Sequence, residues 1–218
     1  MKSQVIKIAA YSICCLVSVA TCFPAKGATF TSESDWQSAA GNYQLETFES
    51  IGTLGTEVTS LPSLGLEFST TNHIYNGTSG GPLFGNFSLI NTFPFNPNDL
   101  DGFSITASNG NLITALGAWN ASGDDELFIT FYNELDVVME SVFISASQTQ
   151  SSFGGIVNSQ GASRVEITAT GNANRWIAID NLQVSLQSST RSVPEPSSLL
   201  SLCLGLVGIL GLHKKSGN

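Results

Sequence analysis

Between residues 28 and 190 this chain has no cysteine and no lysine. Its four cysteines, Cys14, Cys15, Cys22 and Cys203, all lie near the two ends. The central region therefore holds no disulfide and no thiolate metal site, and packing must stabilise it, with or without a bound metal ion. Its only cations are Arg164 and Arg175, against sixteen Asp and Glu, a net charge near −14. That balance argues against a nucleic-acid partner, because Lys and Arg supply affinity for a phosphate backbone. An acidic surface favours solubility and attracts divalent cations instead. Histidine is as scarce, with only His73 and His213 in the whole chain.

The shortage of histidine decides one tempting motif. Gly77-Thr78-Ser79-Gly80-Gly81-Pro82-Leu83 matches the nucleophile loop of trypsin-like proteases and also fits G-x-S-x-G. A serine nucleophile needs an imidazole base within reach, oriented by a third group. His213 lies beyond a C-terminal apolar run, and His73 stands only six residues before Ser79. The hydrolase elbow also requires a strand-turn-helix setting and a later histidine. The segment therefore reads as a Gly/Ser-rich surface loop. Glycosidase chemistry needs two carboxylates flanking a sugar. Glu67, Asp101, Glu126, Glu134 and Glu140 are available, but no spacing singles out a pair. Residues 96–102 (NPNDLDG) echo a calcium loop, yet proline fills the first ligand position and Ser108 the last, so turn chemistry fits better. No phosphate loop, zinc spacing or dinucleotide fingerprint is present. We expect no catalytic residues and no enzyme; the alternative is an extracellular polysaccharide-active hydrolase or lyase.

Both ends of the chain carry addresses. Lys2 and Lys7 precede an apolar run from Ile8 to Ala20, and Ala25-Lys26-Gly27 supplies small residues where a signal peptidase reads. This predicts a signal peptide over 1–27, cut before Ala28. A lipoprotein reading at Cys22 is disfavoured by Thr21 immediately before it. At the other end, Val193-Pro194-Glu195-Pro196 is followed by an apolar run from Leu199 to Leu212, closed by His213, Lys214 and Lys215. Ser197 to Leu212 carries no charge and would span roughly 24 Å as a helix. That is short against a bilayer core of ~30 Å, a gap that snorkelling lysines and a thinned bilayer close. The prolines prevent the helix from starting before Ser197. Lysines after the span favour a cytoplasmic C-terminus. The expectation is a single transmembrane helix at 197–212 within a tail of 191–218, tethering an exported body.

The triplet, the short apolar helix with Gly205, Gly208 and Gly211, and Lys214-Lys215, in that order, resemble the PEP-CTERM sorting signal of Gram-negative bacteria, cyanobacteria included. His213 stands where arginine is common. The resemblance implies processing near Pro-Glu-Pro by exosortase, an integral-membrane transpeptidase. It further implies an inner-membrane-tethered precursor, a final place at the surface or in the matrix, and an association with exopolysaccharide and biofilm.

The region 28–190 reads as β throughout. Strands are predicted at Gln44–Phe48, Gly65–Ser69, Phe87–Ile90, Phe103–Ala107, Ala115–Trp119, Glu126–Tyr132, Val137–Ser145, Gly154–Asn158, Arg164–Thr170 and Trp176–Leu186. Gly, Asn and Ser clusters separate them. Glu33 to Ala40 reads as a short helix with Trp36 and Ala40 on one face. The fold class is all-β, a two-sheet antiparallel jelly-roll sandwich. Leu45-Glu46-Thr47-Phe48-Glu49, Ala115-Leu116-Gly117-Ala118-Trp119 and Ile179-Asp180-Asn181-Leu182 resemble jelly-roll domains often attached to this tail, similar in fold to carbohydrate-binding modules. That resemblance implies neighbouring first and last strands with a structural calcium between their ends. Glu49 and Asp180 match its carboxylates, and Asp124 or Asp125 could add an oxygen toward the six to eight that calcium takes. Alternatively, Asp180 and Asn181 simply make a turn. Sugars stack on aromatic rings, so Tyr75 and Trp119 are the candidate ligand-binding residues, with Phe84, Phe93 and Phe95 beside them. The long span 72–98 adds weight to that surface. The alternative is that these rings pack the core. The body is expected to act as a structural or glycan-binding module, with exosortase, signal peptidase and extracellular polysaccharide as partners.

Overall fold

The computed structural model describes residues 27–76, 85–91, 102–121, 125–146, 151–170 and 176–188. One compact unit runs to Gln187 and a second begins at Ser188. The expected transmembrane segment 197–212, the signal peptide up to Lys26, the 77–83 loop, Asp124, Phe84, Phe93 and Phe95 all lie outside the described residues. Among the described residues, no helix is long and apolar enough to cross a membrane.

The elements in chain order are β1 (Ala28–Phe30), α1 (Glu33–Ala40), β2 (Gln44–Glu46), β3 (Glu57–Leu61), β4 (Leu66–Tyr75), β5 (Ser88–Ile90), β6 (Phe103–Ala107), β7 (Leu112–Asn120), β8 (Glu126–Tyr132), β9 (Val138–Ile144), β10 (Ser152–Ala162), β11 (Arg164–Thr170) and β12 (Ala178–Gln187). The helix and strands β6, β8 and β11 fall at their predicted bounds. β4, β7 and β10 run several residues longer than predicted, because pairing extends them past the apolar stretch. β1 and β3 are additions. Three residues show no period, and β3 carries only two apolar positions, with a register shift between Val58 and Ser60.

All pairs are antiparallel, and the strands follow the path β1-β10-β7-β12-β5-β4-β6-β11-β8-β9, with β2 on β12 and β3 on β4. One layer is β1-β10-β7-β12 with β2; the other is β4-β6-β11-β8-β9 with β3. Short β5 joins them by pairing with both β12 and β4. The result is an almost closed antiparallel sandwich, in keeping with the predicted class. Alternation drives it: Leu127, Ile129 and Phe131 of β8, Val165 and Ile167 of β11, and Leu116 and Ala118 of β7 point into one core.

The opposite face of β7 and β10 carries α1. Ser32 caps the helix, its hydroxyl accepting from the Asp35 N–H at 3.4 Å, and Glu33 and Asp35 suit the positive end of the helix dipole. Trp36 is fully buried against Ala115 and Phe153. It fits because Gly117 and Gly155 are cross-strand partners. A Cβ on Gly155 would lie 2.4 Å from Trp36 Cδ1, and one on Gly117 would lie 2.6 Å from Phe153 Cζ. The two glycines open a slot for the indole, whose N–H donates to the Ile156 carbonyl at 3.2 Å. Beneath the helix, fully buried Gln183 accepts from Gln37 at 3.0 Å and donates to the Glu33 carboxylate. A helix of two turns is too short to stand alone, so these contacts hold it.

Candidate functional site

Trp119 lies near the end of β7 on the helix-bearing face, directly across from Phe153 of β10. Their rings meet edge to face, 5.5 Å apart at 65°. Behind them, Phe153 contacts Trp36 at 6.1 Å, and Trp36 contacts Tyr43 at 5.5 Å, both edge to face. Such pairs contribute about 0.5–1.5 kcal/mol each beyond burial and fix ring orientation. The helix thus buttresses an aromatic wall.

That wall forms one side of an open groove of about 600 Å³, lined by Thr31, Trp119, Phe143, Ser145, Ser151, Ser152 and Phe153. The volume is of the size that holds a small molecule or a short stretch of polymer, about 300–1,000 Å³. Phe143 of β9 is 42% exposed and rests on Phe128, with ring centroids 5.3 Å apart. Ser145 and Ser152 share a hydrogen bond of 2.9 Å across the rim. Buried Asn120 fixes that rim: its amide donates to the carbonyls of Asp125 at 2.8 Å and Ser145 at 3.3 Å. Among the described residues, the lining combines three aromatic rings with four hydroxyls and no ionisable side chain. Such a surface can stack apolar C–H faces and exchange hydrogen bonds with hydroxyl groups.

Of the two predicted ligand-binding residues, only Trp119 lines the groove. Tyr75 packs instead with Ile90, Ala121 and Ala178, its ring 5.9 Å from Trp176. Phe143, Phe153 and the hydroxyls were missed. Phe143 sits between inward-facing Val142 and Ile144, so parity alone marks it as outward, but three consecutive apolar residues hide the alternation.

The predicted metal residues sit at another place. β2, carrying the predicted opening segment, pairs with the last strand β12, with Glu46 opposite Leu182, whereas the first strand, β1, pairs with β10. Beyond that pair the chain continues to Thr47-Phe48-Glu49 on one strand and back to Asn181-Asp180 on the other. Both strands leave extended geometry there, with φ of 63° at Phe48 and 47° at Asn181. Asparagine tolerates the left-handed region, whereas phenylalanine does so only where its surroundings impose it. The fully buried Phe48 ring and the Phe48 N–H bond to Glu46 Oε1 at 2.9 Å impose it here.

Exposed Glu49 then meets the loop before β5. Its Oε1 accepts from the Asn86 N–H at 2.7 Å and the Phe87 N–H at 3.0 Å, and its Oε2 from the Asn86 amide at 3.3 Å. A Cβ on Gly85 would fall 2.0 Å from that Oε1, so glycine leaves room for the carboxylate. The Phe87 N–H above all holds the Glu49 carboxyl below its ordinary range; desolvation opposes it, and both Asn86 bonds assist. Asp180, almost fully buried, accepts from the Asn181 N–H at 2.7 Å. Asp125 accepts from the Trp176 N–H at 2.7 Å. Among the described residues, no three His, Cys, Asp or Glu side chains come together. Val193, Pro194, Glu195 and Pro196 of the sorting motif lie outside the described residues.

Comparison with known proteins places the tail. Residues 192–215 match the PEP-CTERM protein-sorting motif. The chain therefore carries the sorting signal of exported, surface-directed proteins that exosortase processes. No curated protein matches the sequence. Among solved structures, a DUF4465 family protein from Bacteroides caccae shares 10% identity, with a TM-score of 0.36 over 74% of this chain and 94% of its own. The K2 cleaved adhesin domain of Lys-gingipain shares 12%, with a TM-score of 0.35 over 73% and 99%. A family 29 carbohydrate binding module shares 16%, with a TM-score of 0.32 over 71% and 97%.

Proposed function

We propose that this protein is a non-catalytic glycan-binding module, exported by its signal peptide, tethered at the inner membrane by its tail and released or transferred to the surface matrix by exosortase. The sorting motif supports the address. The observation that carries the binding reading is the groove, where Trp119 and exposed Phe143, backed by buried Phe153, stand among four hydroxyls. Sugars present apolar C–H faces to rings and hydroxyls to polar rims, and the groove offers both. Among the described residues its lining has no ionisable group, which favours binding over glycoside cleavage, a reaction that needs two carboxylates. A glycan array, followed by turnover assays on each hit, tests this reading. Retention without product, lost in Trp119→Ala, is the expected result; released product would make the protein an enzyme, and a blank array would leave a purely structural matrix protein.

A second reading concerns the seam between β2 and β12. Calcium there would draw on Glu49 and Asp180, which the paired strands carry toward the same end of the seam. These two carboxylates supply fewer oxygens than calcium takes, so backbone carbonyls and Asp124 would complete the set. What supports the reading is the double departure from strand geometry at Phe48 and Asn181.

A further inference from the structure

We propose that the groove selects uncharged glycan segments and turns away acidic polysaccharides. This rests on the glycan-binding reading above and adds the chemical class of the ligand. A uronate or sulfate group leaving water needs a cation or strong donor to receive it, most often arginine. The lining offers, among the described residues, rings and hydroxyls. Among the described residues, Arg164 is the only lysine or arginine, and it is already engaged elsewhere. Its guanidinium bonds Asp136 Oδ1 at 3.2 and 3.3 Å, donates to Ser104 Oγ at 3.2 Å and approaches Glu166 at 3.7 Å. It also lies 3.9 Å over the Tyr132 ring. Arg175, the region's other cation, lies outside the described residues.

The wider field points the same way. A net charge near −14 over residues 28–190 repels an anionic polymer before contact. That repulsion reaches about 10 Å at 0.1 M salt and is screened beyond. A neutral chain meets no such barrier, and stacking on Trp119 and Phe143, with buried Phe153 behind them, does not depend on ionic strength.

The test is calorimetric titration of the full-length chain in a detergent without a sugar headgroup. Neutral probes are a soluble β-glucan, a mannan, a xylan and a dextran; acidic probes are alginate and hyaluronan. Each is titrated in EDTA and in calcium, at about 0.02 and about 0.5 M sodium chloride, well below and well above the screening concentration. The expected result is binding of at least one neutral polymer, with an affinity that changes less than about twofold with salt, and no binding of the acidic ones. Trp119→Ala should weaken that binding by about tenfold or more. Phe143→Ser, at an exposed position that leaves the core intact, should also weaken it and serves if the tryptophan variant does not fold. An acidic polysaccharide held as tightly as any neutral one, with or without calcium, overturns the selectivity and leaves glycan binding standing. Neutral binding untouched by Phe143→Ser and by a folded Trp119→Ala places the site outside the groove and overturns it too. No binding to any of the six removes the glycan reading itself.

Discussion

At Phe48 and Glu49, two adjacent residues divide the work of one turn. The ring is buried in the core, while the left-handed backbone swings the next carboxylate onto the amides of Asn86 and Phe87. That arrangement has a pH signature. A carboxyl depressed in the folded state contributes stability that is fully present above its unfolded value and is lost as pH falls through its folded value. Glu49 therefore stabilises the fold at neutral pH and ceases to do so on the acid side of its ordinary 4.5. Glu49→Gln should lower the melting temperature at pH 7 by about 1–2 °C, a small change because the side chain is exposed and solvent-screened. Variant and wild type should converge in acid; a difference that persists at pH 2 would show that charge is not the cause. The same melts address the metal. If calcium sits at this seam, EDTA lowers the wild-type melting temperature and Glu49→Gln shrinks that effect; identical curves with and without EDTA would remove calcium from the account.

At the scale of elements, the helix and its slot explain why the groove has the shape it has. Gly117 and Gly155 meet only because β7 and β10 pair in a register that sets them side by side. Gly155→Val would drive a side chain into the fully buried indole of Trp36, at a cost of about 1–3 kcal/mol. Thermal denaturation reads that loss, and unchanged stability would mean that α1 does not pack as described. The same pair shows what the sequence could reveal. α1, β6, β8 and β11 were legible because their apolar periods are clean and polar turns bound them. β1 and β3 were not, being too short or too irregular in register to show a period. Trp119 was legible as a large ring on a strand end. Phe143, Phe153 and the serines were not, because three strands and the residue after β1 bring them together, and no local pattern encodes that meeting. Tyr75 shows the converse: a ring as plausible as Trp119 in sequence packs against Trp176 instead.

On the scale of the whole molecule, an acidic β body without lysine or cysteine is flanked in sequence by two end segments that hold all four cysteines, the second of them bearing the sorting motif. The body needs no disulfide, because one continuous core runs between its two layers. In the proposed function the tail sets where that body goes and the groove sets what it holds there. The claim on which the rest depends is that the tail is processed, since a module kept at the inner membrane would not reach an external glycan. The most direct measurement is the intact mass and location of the protein in cells with and without the exosortase, with Glu195→Ala as a second arm. With the enzyme, we expect a surface or matrix form that has lost the segment beyond Pro-Glu-Pro; without it, or with Glu195→Ala, a membrane-bound form that keeps residues 197–212. The same mass and the same location in all three strains would contradict the account.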